Sequence, residues 1–391
     1  MTGAADLIVI GLGAAGSATL YQAAKRGARV IGIDRYVPPH NQGSSHGETR
    51  ITRQAIGEGL DYVPLALRAD ELWREIEAET GENLMLSVGA LLISKPDLGA
   101  VHHGKHDFLE RTFEAAETFS IPHERLDARE IRSRYPHFHP RDPEIAYFEP
   151  GAGMLYPERC IAAQLGLARR HGARVLAPET VLAIEPILGG VRVVTDHGRH
   201  EAAQAVVSAG AWAPVLLGGV YGDRLSLHRQ TMHWFTPGDP AAFAPERFPV
   251  FIWMHGTGPS DWFYGFPTPP GAAGVKVASE QFEVAVAAPE GLDRVVTQQD
   301  ALAMHARHVD GRIDALPARW LRSAACVYTT APGSRFLIGA DPDREHLILV
   351  SACSGHGFKH SAAIGEAVAG LALDGVAPPV LEPFSPALLR P

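Results

Sequence analysis

The spacing of apolar residues changes several times along this chain, and each change predicts an element. Leu7–Ile10 is a short unbroken apolar run, the pattern of a strand covered on both faces. Gly11-Leu12-Gly13-Ala14-Ala15-Gly16 follows, then a helix of small residues through Ala24. Gly27 closes that helix, and Arg29–Ile33 reads as a second strand ending at Asp34. Between Tyr62 and Ile76, positions Leu65, Ala69, Leu72, Trp73 and Ile76 share one helical face. Strands are predicted at Gly89–Ser94 and Ile145–Glu149, with helical patterns between them and another at Arg159–His171. Ala173–Leu176, Val181–Ile184 and Val191–Thr195 predict a strand and a hairpin; Ala205–Ser208 is an apolar strand leading into Ala209-Gly210-Ala211-Trp212. From Leu225 to about Glu283 the chain is extended and aromatic, as in an antiparallel sheet. Leu292–Val309 reads as a helix. The chain then shows a strand at His346–Ala352, a glycine-rich turn at Ser354–Gly357 and a small-residue helix at Ser361–Leu373. This last strand–turn–helix echoes the first, so the two ends of the chain are expected to meet at one site.

Composition narrows the class. The chain has 391 residues, 46% hydrophobic and 20% charged, enough for roughly two domains of ordinary size. Its net charge of −9 argues against a nucleic-acid binder, which needs concentrated positive charge. The longest weakly polar run, Leu7–Leu20, is 14 residues and holds three glycines, short of the ~20 that span a bilayer. No basic stretch precedes it, so a secretory signal is not expected and a cytoplasmic location is. Three scattered cysteines suit a reducing compartment rather than a disulfide framework. His102 and His106 are spaced to share a helix face, but with His103 they lack a convincing further ligand. They are expected to be exposed, with no metal bound.

The first strand–turn–helix carries a dinucleotide fingerprint. Gly11 makes the turn, Gly13 admits a pyrophosphate close to backbone, and Gly16 lets helix and strand lie together. The helix N-terminus offers unpaired N–H groups to phosphate. Asp34, 18 residues after Gly16, is placed to accept from ribose hydroxyls and to repel a 2′-phosphate. The motif favours FAD or NAD over NADP and does not choose between the first two.

Further motifs run the length of the chain: Pro38-Pro39-His40, Gly43–Arg53 (Gly-Ser-Ser-His-Gly-Glu-Thr-Arg-Ile-Thr-Arg), Gly57-Glu58-Gly59, Tyr264-Gly265-Phe266-Pro267, Lys276, Ala325–Thr329 and Ser354–Lys359. In these residues the chain resembles the flavin amine oxidases of the monomeric sarcosine oxidase and N-methyltryptophan oxidase family. The resemblance implies FAD and an α/β fold: a doubly wound FAD-binding domain (1–85, 152–215 and 322–391) interleaved with an antiparallel-sheet substrate domain (86–151 and 216–321). It implies cofactor contacts at Gly11, Gly13, Gly16, Asp34, Ser44, Arg50, Gly210, Gly355, Gly357 and Lys359, with a thioether from Cys326 to the flavin. Cys160 and Cys353 are expected to be inert.

The same resemblance implies that Arg53 and Lys359 hold a substrate carboxylate, an anion suited to a guanidinium fork and an ammonium. Lys276 would be the cation that assists oxygen reduction, and His46 and Arg50 would lie against the flavin as positive charge. Tyr264, with Tyr328, would line the substrate pocket. The implied reaction is oxidation of a secondary, N-methyl amino acid, with O₂ reduced to H₂O₂ by a monomeric enzyme needing neither membrane nor nucleic acid. A cyclic or glycated amine, another electron acceptor, or a nucleotide-binding module without catalysis are the alternatives. The chain departs from the family pattern at Glu280, where a histidine is common four residues after the lysine. It also departs at Gln54-Ala55-Ile56, and at Gly339 with Asp341 two residues on. Glu280 would suit a substrate whose side chain is cationic or donates hydrogen bonds.

Overall fold

The computed structural model describes residues 5–99 and 101–389. Its first sheet is built around Ala5–Ile10, which pairs in parallel with Val30–Ile33 on one side and Arg199–Val207 on the other. Arg174–Leu176 and Leu347–Ser351 extend the parallel array outward, and the hairpin Val181–Ile187/Gly190–Thr195 adds antiparallel strands. Alternation along Ala5–Ile10 divides the packing. Leu7 and Val9 join the core beneath the helices Ala14–Lys25, Pro157–Arg170 and Ser361–Asp374, whereas Ile8 and Ile10 face a second core capped by Ala213–Leu217 and Gly219–Arg224. Small residues let the helices approach: a Cβ on Gly365 would lie 2.3 Å from that of Ala18. The helix Ser361–Asp374 is thereby bound against Ala14–Lys25.

The second sheet has nine strands, mostly antiparallel. Ser226–Phe235, Val275–Ala278, Trp262–Gly265 and Val250–Met254 follow one another across it. Val250–Met254 then meets Ala90–Ser94 in the sheet's parallel pairing, and Ile145–Glu149 and Glu124–Asp127 complete that side. Trp320–Thr330 pairs along the whole of Ser226–Phe235 and so belongs to this sheet as well. A boundary at 322 therefore divides a strand whose mixed sequence has no clear period. A three-stranded sheet of Arg50–Thr52, Gly153–Leu155 and Met85–Ser87 lies apart from both larger sheets.

The elements agree with the apolar pattern in most places, and Leu292–Val309 is the exception. The helix begins only at Gln298, because Thr297 and Asp300 form a reciprocal cap: Asp300 N donates to Thr297 Oγ1 at 3.1 Å and Thr297 N to Asp300 Oδ2 at 2.9 Å. Upstream, Arg229 holds the carbonyls of Asp293 and Val295, and that stretch stays irregular. After Met304 the helix widens over His305–Val309. No single helix among the described residues is long and apolar enough to cross a membrane.

Candidate active site

One cavity of about 490 Å³ runs from the fingerprint loop to the second sheet. At the first end the backbone makes the site. Gly11 turns with φ +85°, and a Cβ there would come within 2.6 Å of Ser208 O; a Cβ on Gly16 would lie 1.8 Å from Gly11 O. Gly13 meets nothing within 4 Å and opens on the cavity. It begins the helix Ala14–Lys25, whose first N–H groups have no side-chain cap and no acid in the first turn. Asp34 accepts from Leu12 N at 2.7 Å and Tyr36 N at 2.9 Å, which fixes its carboxylate at the end of the second strand. An uncapped helix terminus beside a glycine cradle and a fixed acid suits a dinucleotide: pyrophosphate at the helix, ribose at the acid.

At the other end side chains make the site, and they come from distant segments. Arg53 is 3% exposed; its NH2 donates to Glu58 at 2.8 Å and its NH1 to the Ala55 carbonyl, while Nε has no partner. The loop after Arg53 is itself anchored, because buried Glu149 accepts from Gln54 N at 2.7 Å and Ala55 N at 3.1 Å. Glu58 also takes His103 Nδ1 at 3.1 Å, and His103 Nε2 lies 2.9 Å from Glu280. Burial pushes the Glu58 carboxyl up, yet Arg53 and His103 hold it well below the usual range. Lys359, also buried, donates to His356 O at 2.7 Å; burial brings its ammonium down to about 8. Trp262, Tyr264, Tyr328 and His356 complete this end.

A third group sits behind the wall between the two ends. Lys276 is 2% exposed and donates to Gly47 O at 2.8 Å and Thr49 O at 2.6 Å, with its ammonium 4.2 Å from the centre of the Phe266 ring. Burial, then Arg50, pushes it well below the ordinary lysine value. Arg50 itself reaches the cavity and donates to Thr49 O and Ser44 O. His46 is buried without a partner at Nε2, and burial lowers it to about 4. It is neutral near pH 7, so the positive charge expected of it falls to Arg50. Cys326 is buried beside Met232, Trp234 and Tyr328, and burial pushes its thiol up to about 11 while Arg50 pulls it back.

Gly11, Gly13, Asp34, Ser44, Arg50, Arg53, Gly210, Tyr264, Glu280, Tyr328, Gly355, Gly357 and Lys359 therefore line one cavity, whereas Gly16, His46, Lys276 and Cys326 stand behind its surface. The histidine expectation is corrected. His102–Lys105 is a tight turn with paired backbone, and the helix starts only at Phe108. His102 and His103 are buried against Trp262 and Glu280; only His106 is exposed. Glu58, His103, Trp262 and His356 went unassigned in the sequence, and Cys353, expected to be inert, lines the cavity. Glu58 had a signal, an acid between two glycines just after the arginine it neutralises. His103 had none, since a polar loop with several histidines reads as solvated.

The family model for FAD dependent oxidoreductases matches residues 6–371. The chain belongs to that family. FAD is thus the cofactor, and the cradle at the fingerprint end fits it. The monomeric sarcosine oxidase of Streptomyces avermitilis is 40% identical over 385 residues, covering 97% of each chain. The N-methyl-L-tryptophan oxidase of Yersinia pestis is 35% identical over 387 residues, covering 98% of this chain and 99% of its own. Among solved structures, NikD, an unusual amino acid oxidase essential for nikkomycin biosynthesis, superposes with a TM-score of 0.84 at 23% identity, over 98% of each chain. The L-proline dehydrogenase of P. horikoshii gives 0.80 at 21%, over 97% of this chain and 96% of its own. At these identities the superpositions speak for the shared fold of this flavoprotein family.

Proposed function

We propose that this protein is a FAD-dependent oxidase of secondary, N-methyl amino acids, releasing H₂O₂. The observation that carries the reading is the buried Arg53–Lys359 pair in the same cavity as the nucleotide cradle. Arg53 keeps an unpartnered Nε–H although it is almost fully buried. A buried donor of that kind is costly unless a ligand satisfies it, and a carboxylate is the complementary anion. Lys359, from the opposite end of the chain, supplies the second charge. Bound FAD would supply the acceptor for a hydride from the carbon beside nitrogen and the route by which its electrons reach O₂. The chain's own part is to hold the substrate by its carboxylate, so that this carbon faces the ring and the amine lone pair can assist. The resulting imine hydrolyses in water to the primary amino acid and, for an N-methyl group, formaldehyde.

On the side assigned to the flavin, Arg50 lines the cavity with Ser44. Lys276 stands behind it, held by two carbonyls, and is the group assigned to oxygen reduction. Tyr264, Tyr328 and Trp262 form the apolar wall of the substrate end. Cys326 is assigned the thioether to the flavin on the strength of its motif; burial pushes its thiol up to about 11, and Arg50 pulls it only part of the way back toward the thiolate. The protein is assigned as a monomer working in the cytoplasm, a location its three free cysteines suit.

The test is an H₂O₂ assay over sarcosine, other N-methyl amino acids, proline, pipecolate and fructosyl amino acids. Turnover of the N-methyl compounds is expected; turnover of the cyclic or glycated amines alone overturns the substrate class. For the link, acid-precipitated protein should stay yellow and Cys326→Ala should release the colour. Free flavin from the unaltered protein rejects the thioether.

A further inference from the structure

The substrate end contains an ion pair that the proposed reaction does not use. His103 has a carboxylate at each ring nitrogen, Glu58 at Nδ1 and Glu280 at Nε2. Two acceptors require two N–H donors, so the ring is an imidazolium. Burial alone would lower its pKa, but Glu280 and Glu58 hold it up at about 9. The turn of Gly355 covers this pair: its φ is +84°, and a Cβ there would fall 2.6 Å from His103 Nε2 and 2.9 Å from Glu280 Oε1. Only glycine lets the loop lie so close, so the pair is enclosed rather than solvated.

We propose that the His103–Glu280 pair sets the substrate's side-chain specificity, neutralising Glu280 so that the pocket takes amino acids with one carboxylate and an uncharged side chain. This deepens the amine oxidase reading and rests on it. The charges around the compartment support it. Arg53, His103 and Lys359 face Glu58 and Glu280, one positive charge in excess, which a single substrate carboxylate balances. His102 and His356 add nothing, because burial lowers both, His356 to about 3; His360 behind Lys359 is lowered likewise. Burial raises the phenols of Tyr264 and Tyr328, which stay neutral. Arg50 lies on the flavin side with Ser44. A cationic side chain would leave a buried positive charge and an acidic one a buried negative charge, both unfavourable at low dielectric. Glu280 alone in the pocket would have favoured a cationic side chain; paired with His103 it does not.

The test compares kcat/KM for N-methylalanine, N-methylaspartate and Nα-methyllysine, assayed below neutral pH so that His103 stays protonated. The unaltered enzyme should favour the neutral substrate over both others by at least about tenfold. Glu280→Gln leaves an uncompensated imidazolium and should raise the acidic-to-neutral ratio about tenfold. His103→Gln leaves an uncompensated carboxylate and should raise the basic-to-neutral ratio by a similar factor. Single variants that shift all three substrates alike, or an unaltered enzyme that prefers the basic substrate, overturn the proposal. Calorimetric binding of acetate, succinate and 4-aminobutanoate to the holoenzyme should follow the same order without turnover. If no N-methyl amino acid is oxidised, the functional reading fails while this binding still reads the pair. Should a single variant not fold, the double variant His103→Gln/Glu280→Gln should keep the charge ratios within about twofold of the unaltered enzyme. A change beyond tenfold in the double variant overturns the proposal.

Discussion

The two ends of the cavity solve the problem of holding an anion in opposite ways. At the nucleotide end, backbone does it: glycines without side chains, an uncapped helix terminus and one carboxylate, nearly all within Gly11–Asp34. At the substrate end, buried side chains do it, and two of the three cations, Arg53 and His103, carry their own counter-charges. Arg53 leans on Glu58, Glu58 on His103, and His103 on Glu280, a chain drawn from three separate segments. Partial backbone charges cost little to bury, because the helix already satisfies the rest of each dipole. Full charges cost several kcal/mol each unless paired. The nucleotide end should therefore respond to shape, and the substrate end to charge.

The largest expected effect is at the substrate end. Arg53→Met removes the carboxylate donor and leaves Glu58 to His103, a loss of about 3–5 kcal/mol, or ~10³-fold in kcat/KM. Flavin retention should hold, because the cradle is elsewhere. Steady-state H₂O₂ kinetics with the flavin spectrum read both, and an unchanged kcat/KM would remove Arg53 from substrate binding. Next comes the wall between the ends. Lys276→Met should slow flavin reoxidation by O₂ about 10²-fold in stopped flow while anaerobic reduction is nearly unaffected. Equal losses in both half-reactions would mean that Lys276 only supports the fold.

Smaller effects test shape at the nucleotide end. A Cβ at Gly16 would sit 1.8 Å from Gly11 O, so Gly16→Ala should destabilise by about 3 kcal/mol and lower the share of protein that takes up FAD. Gly13→Ala meets nothing within 4 Å of its own chain, so the melting temperature should barely move while less FAD is incorporated. If both variants melt alike, the distinction between a packing glycine and a ligand-facing glycine is wrong. The smallest effect is one of pH. Lys359 is brought down to about 8, and only its protonated form attracts a carboxylate. The kcat/KM should therefore carry a falling limb that begins near that pH, with a loss of up to about tenfold per unit above it. Lys359→Arg should carry the limb upward, and an unmoved limb would assign it to another group.

Local residues made much of this legible. The fingerprint is contiguous, its spacing sets its geometry, and the strands and helices around it follow apolar periodicity closely. Arg53 and Lys359 were readable only through motifs shared with a known family, since an isolated arginine or lysine is usually solvated. The Thr297–Asp300 cap shortened a helix that periodicity alone extended. His103 gave the opposite difficulty: its loop looks like surface, and only its neighbours make it an enclosed cation.

By itself the sequence determined the nucleotide cradle, the alternation of parallel and antiparallel regions, and the meeting of the two chain ends, because each depends on residues close together or on a regular period. Tertiary structure alone decided which charges are buried, and which acid faces which base across sequence separations such as the 177 positions from His103 to Glu280. The physical reason is that ionisation depends on burial and on neighbours a few ångströms away, and neither is a property of local sequence.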